Sequence, residues 1–217
     1  HRLPELHKHI EKKKCDCHDS KRAKVVSIFL RYSKATFWMS HEQKEHHENI
    51  FPFLKEHNNI VLSSVFSKKS IKTFQTLEGK KNDKWLILGS SSWVKGTRDC
   101  VKYAKDNKLK HEVVSNLPHK EVLKKLATSK GLLFHPKGKD TCPRFVIEAK
   151  ILGCELLLND FVQHKDEGWF NKDKDEIIDF LKDRPKVFWK EISKHLPELP
   201  KAKTNEKTHF KIIVPMY

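Results

Sequence analysis

The sequence predicts an α/β protein, a doubly wound parallel sheet with helices on both faces, followed by a helical C-terminal segment. Three observations carry this. Between residues 85 and 158, short runs that are apolar throughout recur. Stretches of about ten residues with apolar positions at helical spacing alternate with them. Polar, turn-forming breaks at 11–24 and 77–84 set this region off from what precedes it. Continuous apolar runs suit strands buried on both faces, and the alternation with helices suits parallel pairing through crossovers.

Taken in order, Val25–Tyr32 reads as a mostly buried helix, with apolar residues at 25, 26, 28, 29, 30 and 32. Ala35–Met39 is a short β-type run. Ser40 is a natural N-cap with Gln43 three residues on, the spacing of a capping box, so a helix should run to about Phe51 and stop before Pro52. Asn59–Val65 reads as a strand. Trp85–Leu88 is a buried strand ending in Gly89, and Thr97–Asn107 a helix with Val101, Tyr103 and Ala104. His111–Val114 is a strand, and His119–Thr128 a helix with Val122, Leu123 and Leu126 on one face. Gly131–Phe134 is a strand. Pro143 suits the first turn of a helix that carries Phe145, Ile147 and Ile151 to Gly153, and Cys154–Leu158 is the last strand. Beyond Asn159 the pattern is helical: Asp175–Leu181 and Lys186–His195 read as two amphipathic helices split around Pro185, and a Lys-rich tail from Pro197 ends in the apolar run Ile212–Val214.

Composition narrows the function classes. Lys and Arg number 44 against 28 Asp and Glu, a formal net charge of +16, which points to a polyanionic partner: nucleic acid, an anionic membrane face or a phosphorylated substrate. With 37% hydrophobic residues the chain is no disordered polycation. No apolar run is long enough to cross a bilayer, and none follows the N-terminus as a secretion signal would. The five Cys are then expected as reduced thiols in a cytoplasmic compartment. Cys15-Asp-Cys17-His18, with His7 and His9 upstream, invites a metal reading, but the cysteine spacing is not that of a zinc site and no second pair exists, so a polar Lys-rich loop is the better reading. No helix-turn-helix, RNA-recognition or zinc-finger pattern supports nucleic acid as the partner.

Ligands of doubly wound sheets sit at the carboxyl ends of the strands. Two loops there can carry chemistry. Gly89-Ser-Ser-Ser-Trp-Val-Lys95-Gly96 has small residues, a helix N-terminus and a cation, which suit a phosphate or an ordinary turn; it is neither a P-loop nor the GxGxxG fingerprint. His135-Pro-Lys-Gly-Lys-Asp140-Thr141-Cys142 precedes a helix that carries Arg144 and Glu148. Asp140 or Thr141 can cap that helix, and Glu148 can pair with Arg144 one turn back on a solvated surface. Alternatively Glu148, flanked by Ile147 and Ala149, lies at the margin of the buried face and needs a partner such as a ligand hydroxyl.

The stretch from Asp140-Thr-Cys-Pro-Arg144 through Glu148-Ala149 to Gly153 and Asn159 resembles the acidic-x7-Glu signature of retaining GT-B glycosyltransferases, in particular family 4. Gly89…Lys95-Gly96 resembles the same family's first loop, and His111–Val114 with Asn116, Leu117 and Glu121–Leu126 its next strand–loop–helix unit. The resemblance covers residues 59–160 best. It implies a Rossmann-like GT-B C-terminal domain in abbreviated form: residues 1–65 as the end of an N-terminal, acceptor-side domain, 66–170 as the nucleotide-sugar-binding domain, and 171–217 as C-terminal helices and basic tail. It further implies that Glu148 hydrogen-bonds the ribose of a nucleotide-sugar donor, that Asp140 contacts hydroxyls of the transferred sugar, and that Lys95 neutralises the diphosphate. Gly89, Ser90, Gly96, Asn116, Leu117, Thr141 and Arg144 complete the donor surface. No metal and no cofactor beyond the donor are implied. The first acidic position is Asp140 where the family usually has Glu, and Ser90–Ser92 stand where its usual Arg stands, so Arg98 or Arg144 is the substitute. The partners expected are the donor and a saccharide or lipid-linked acceptor, with the Lys excess suiting a peripheral position at an anionic membrane. A non-catalytic binding domain with the same surface, and a basic nucleic-acid binder, are the competing readings.

Overall fold

In the computed structural model, residues 20–196 are described; the Cys15–His18 segment and the tail from Pro197 lie outside them. The described chain opens with α1 (Lys21–Tyr32), β1 (Thr36–Trp38), α2 (His41–Ile50), a 3-10 turn (Pro52–Glu56) and β2 (Asn59–Val61). Next come α3 (Lys68–Thr76), β3 (Trp85–Leu88), α4 (Thr97–Asp106), β4 (His111–Val114), α5 (His119–Thr128), β5 (Gly131–Phe134), α6 (Arg144–Ile151), β6 (Glu155–Leu158) and α7 (Lys174–Ser193). The strands form two sheets, both parallel: β1-β2, and a four-stranded sheet in the order β4-β3-β5-β6. The α/β, doubly wound class is therefore the observed one.

Burial follows the two-residue period of the strands. Leu86, Leu132 and Phe134 point into a large core built with α3, α5, α6 and α7. Trp85, Ile87 and Leu133 point the other way, onto Cys100 and Ala104 of α4. From β3 the chain winds outward to β4, then crosses back to β5 on the opposite side. The helices that follow β3 and β5 thus lie on opposite faces of the sheet, the switch in strand order at which doubly wound sheets bind ligands. The polar break 77–84 also has a structural task. Lys81 Nζ donates to the carbonyls of Leu126 (3.0 Å) and Leu152 (2.8 Å), at the C-terminal ends of α5 and α6, where a cation is favoured.

The cap at Ser40 forms as the spacing predicts, with Ser40 Oγ accepting from Gln43 N at 3.0 Å; the return bond is shifted by one residue, Gln43 Oε1 accepting from Met39 N at 2.8 Å rather than from Ser40 N. Four expectations are corrected. The polar connection expected over 11–24 gives way to α1 from Lys21, capped by Ser20. That helix has no buried residue; Ala23, Val26 and Leu30 face the body at partial depth, while Val25, Ile28, Phe29 and Tyr32 are exposed. The strand expected over 59–65 ends at Val61, because Ser63 takes a left-handed conformation (φ 63°) and both Leu62 and Ser63 donate to the Trp38 carbonyl. The two C-terminal helices are one, α7, with Pro185 inside it. Proline deletes one helical hydrogen bond, but packing on both sides of it holds the helix together. Ile177, Ile178 and Leu181 lie in the large core; beyond the proline, Phe188 meets Phe37 of β1 (ring centroids 5.0 Å apart) and Glu191 accepts from Asn58.

The carboxyl ends of the two sheets face one another. Ser40, just past β1, donates from Oγ to Gln163 Oε1 at 3.0 Å, and Gln163 N donates to the Asp140 carbonyl. Ser64, past β2, donates to the buried Cys142 Sγ at 3.3 Å. The segment after β5 is therefore held between both sheets.

Candidate functional site

The β3–α4 loop is set by its own small residues. Gly89 N donates to the Val114 carbonyl at 2.7 Å, and a Cβ on Gly89 would come within 2.8 Å of Ser115 Cβ. Ser90 N donates to Thr97 Oγ1, whose hydroxyl in turn donates to the Leu88 carbonyl, and Ser92 N donates to Ser90 Oγ. A 3-10 turn, Trp93–Lys95, then delivers Lys95, and Gly96 reverses the chain with φ 66° to start α4. A side chain at Gly96 would come within 1.9 Å of the His135 carbonyl oxygen. The two strand-end loops touch here, backbone to backbone.

That contact brings together two of the residues expected from the sequence. Lys95 Nζ lies 2.6 Å from Asp140 Oδ2. The Asp140 backbone is pinned as well, by a parallel bridge to Val162. Asp140 does not cap α6, nor does Thr141. Pro143 stands at the N-cap with no side-chain cap, and α6 begins at Arg144.

Glu148 is no surface residue. It is 3% exposed, in the second turn of α6, and its Oε1 is 2.9 Å from His119 Nε2. Burial pushes its carboxyl pKa up, opposed by His119 and, more weakly, by the charge of Arg144. Arg144 itself is exposed and lies with its guanidinium 4.4 Å from the centre of the Phe66 ring, so it does not form the surface pair with Glu148. Arg98 is exposed on α4. Asn116, in a left-handed conformation (φ 54°), and Leu117 are exposed on the β4–α5 loop, three and two residues before His119.

His119 is the residue that sequence reasoning missed. Its pairing with Glu148 spans 29 residues and leaves no local trace; the available signal was a histidine opening the helix after a strand, beside Asn116 and Leu117. The carboxyl-end side of the sheet thus carries two polar pairs: Lys95 with Asp140, and His119 with Glu148. They offer a cation for phosphate and carboxylates for hydroxyl groups. Two depressions of about 390 and 400 Å³ lie elsewhere and involve none of these four side chains. Among the described residues, no three His, Cys, Asp or Glu come together to hold a metal ion, and no helix is long and apolar enough to cross a membrane.

No protein-family model matches the chain, and no curated protein matches its sequence. Among solved structures the chain is similar to the apo form of a lipopolysaccharide outer core galactosyltransferase, WaaB, with a TM-score of 0.52 and 12% identity, over 82% of this chain. The match covers 66% of that protein. At this identity the likeness is one of fold: the chain has the α/β, Rossmann-like architecture of a GT-B glycosyltransferase over the matched span.

Proposed function

We propose that this chain forms the donor-binding half of a glycosyltransferase that moves a sugar from a nucleotide-diphosphate sugar to a saccharide or lipid-linked acceptor, with retention of configuration and without a metal ion. The observation that carries the reading is the meeting of Lys95 and Asp140 past the carboxyl ends of the adjacent strands β3 and β5, with His119, after β4 on the other side of β3, paired to Glu148. In this reading Lys95 and the first N–H groups of α4 take the diphosphate, whose charge grows as the glycosidic bond breaks; stabilising that charge is the main catalytic contribution. Asp140 exchanges its ion pair for the hydroxyls of the transferred sugar. Glu148, held by His119, accepts from the ribose.

A second reading takes the Lys95–Asp140 pair as a structural lock between two loops, in a domain that binds a nucleotide sugar without transferring it. The short contact favours it, and turnover separates the two. The test is a thermal-shift and calorimetric panel of nucleoside-diphosphate sugars, with and without excess EDTA. A donor at about a hundred times its Kd should add about 2.7 kcal/mol of stability. Stabilisation by none of them overturns the donor site. Binding that chelation abolishes and magnesium or manganese restores overturns its metal-free form.

A further inference from the structure

The apolar positions of α1 form two stripes, and only one is used. Ala23, Val26 and Leu30 turn towards the body. The helix is fixed in that orientation by Arg31 over the Phe53 ring (4.4 Å) and by Ser33 just past its end, whose Oγ is 3.0 Å from His57 Nε2. The second stripe, Val25, Ile28, Phe29 and Tyr32, follows the i, i+3, i+4, i+7 spacing of a single helix face. Its members are exposed by 61, 58, 67 and 79%. Large apolar side chains gathered on one exposed helix face mark an interaction surface rather than chance.

The charges around the stripe identify its partner. Residues 20–34 include Lys21, Arg22, Lys24, Arg31 and Lys34 and not one carboxylate. Lys21 lies one turn before Val25 on the stripe itself. An apolar strip of aliphatic and aromatic side chains, bordered by cations, is what an amphipathic helix needs to lie in the headgroup region of a bilayer, its apolar side chains among the acyl chains and its cations on anionic lipids. At 12 residues α1 cannot span a bilayer. A protein partner would have to be both apolar at its centre and acidic at its rim, whereas an anionic lipid surface meets both demands without any sequence. The chain's net charge of +16 acts in the same direction over longer range.

We propose that α1 is a membrane-docking element, which seats the protein on anionic bilayers by inserting Val25, Ile28, Phe29 and Tyr32 at the interface. The proposal does not depend on the donor-site reading.

The experiment is co-sedimentation of the full chain with vesicles of phosphatidylcholine alone and of phosphatidylcholine with phosphatidylglycerol in equal parts, for wild type and for Phe29→Glu, alongside thermal unfolding and sedimentation velocity. Wild type should bind the anionic vesicles, lose binding as salt rises, and bind the neutral ones weakly. Phe29→Glu should lower the affinity at least about tenfold, through lost insertion and added repulsion, with its Tm unchanged. Absence of binding to anionic vesicles, or equal binding by the variant, overturns the proposal. Self-association that Phe29→Glu abolishes would assign the face to a second copy of the chain. A large fall in Tm in the variant would mean that the chain itself covers the stripe. Either result also overturns the proposal.

Discussion

Lys95 Nζ and Asp140 Oδ2 are 2.6 Å apart, although their loops leave neighbouring strands for opposite faces of the sheet. The pair is unequal: the lysine side chain is 37% exposed and the aspartate 17%. A diphosphate that takes Lys95 must compete with Asp140 for it. Lys95→Ala should therefore weaken nucleoside-diphosphate binding more than nucleoside binding, and Asp140→Asn should strengthen the binding of the free diphosphate. Calorimetry with both ligands checks this, and equal losses for the two in Lys95→Ala would point to a packing defect. Stability should change by less than about 1 kcal/mol in Lys95→Ala, as for other partly exposed pairs.

Burial makes the charged form of Glu148 a cost to stability. Its carboxyl pKa is raised above the usual 4.5 by burial, so the folded chain binds the proton more tightly than the unfolded one. Stability that is present below pH 4.5 is then lost as the pH rises through the folded value. Glu148→Gln should raise the Tm at neutral pH, and the gain should shrink as the pH falls through the raised folded value and be gone below 4.5. The same variant should lose about 1.5–3 kcal/mol of donor binding, the worth of a hydrogen bond to a charged group. Unfolding curves at two pH values and one titration test both halves.

Two glycines should differ sharply in their response to alanine. Gly96→Ala drives a Cβ to within 1.9 Å of the His135 carbonyl at a positive φ, and should cost at least about 2 kcal/mol while displacing Lys95. Gly168→Ala meets nothing within 4 Å and should be close to neutral. Denaturant unfolding of the two variants makes the comparison.

His164 is fully buried between Trp169 and Phe170, and neither ring nitrogen has a hydrogen-bond partner. Burial lowers its pKa from 6.5 to about 4. As the pH falls through that window, the unfolded chain takes up a proton that the folded chain refuses, so stability should drop by about 3 kcal/mol and then level off. His47 and His135, also lowered by burial, add to the trend. His164→Phe should remove its share of the slope, read from Tm against pH.

The strands of the four-stranded sheet were legible because a strand buried on both faces writes an unbroken apolar run, as in Trp85–Leu88 and Gly131–Phe134. Ser40 and Gln43 were legible because a helix cap is local. The depth of α1 was not, since periodicity reports that a face is apolar but not whether anything covers it. The unity of α7 was hidden behind Pro185, a local rule that packing at both ends overrides. The partners within the site, Lys95 with Asp140 and His119 with Glu148, lie 45 and 29 residues apart and exist only once the loops converge.

The course of α7 makes the two sheets answer for one another. Its first half is part of the large core, and its second half is anchored through Phe188 and Glu191 to Phe37 and to Asn58, just before β2. Neither sheet can melt while the other stays intact without fraying a helix that both hold. Heating should accordingly give a single cooperative transition. Amide protons on either side of Pro185 should share one opening free energy in hydrogen exchange, with the Leu181 carbonyl, deprived of its helical donor, marking where any partial opening begins.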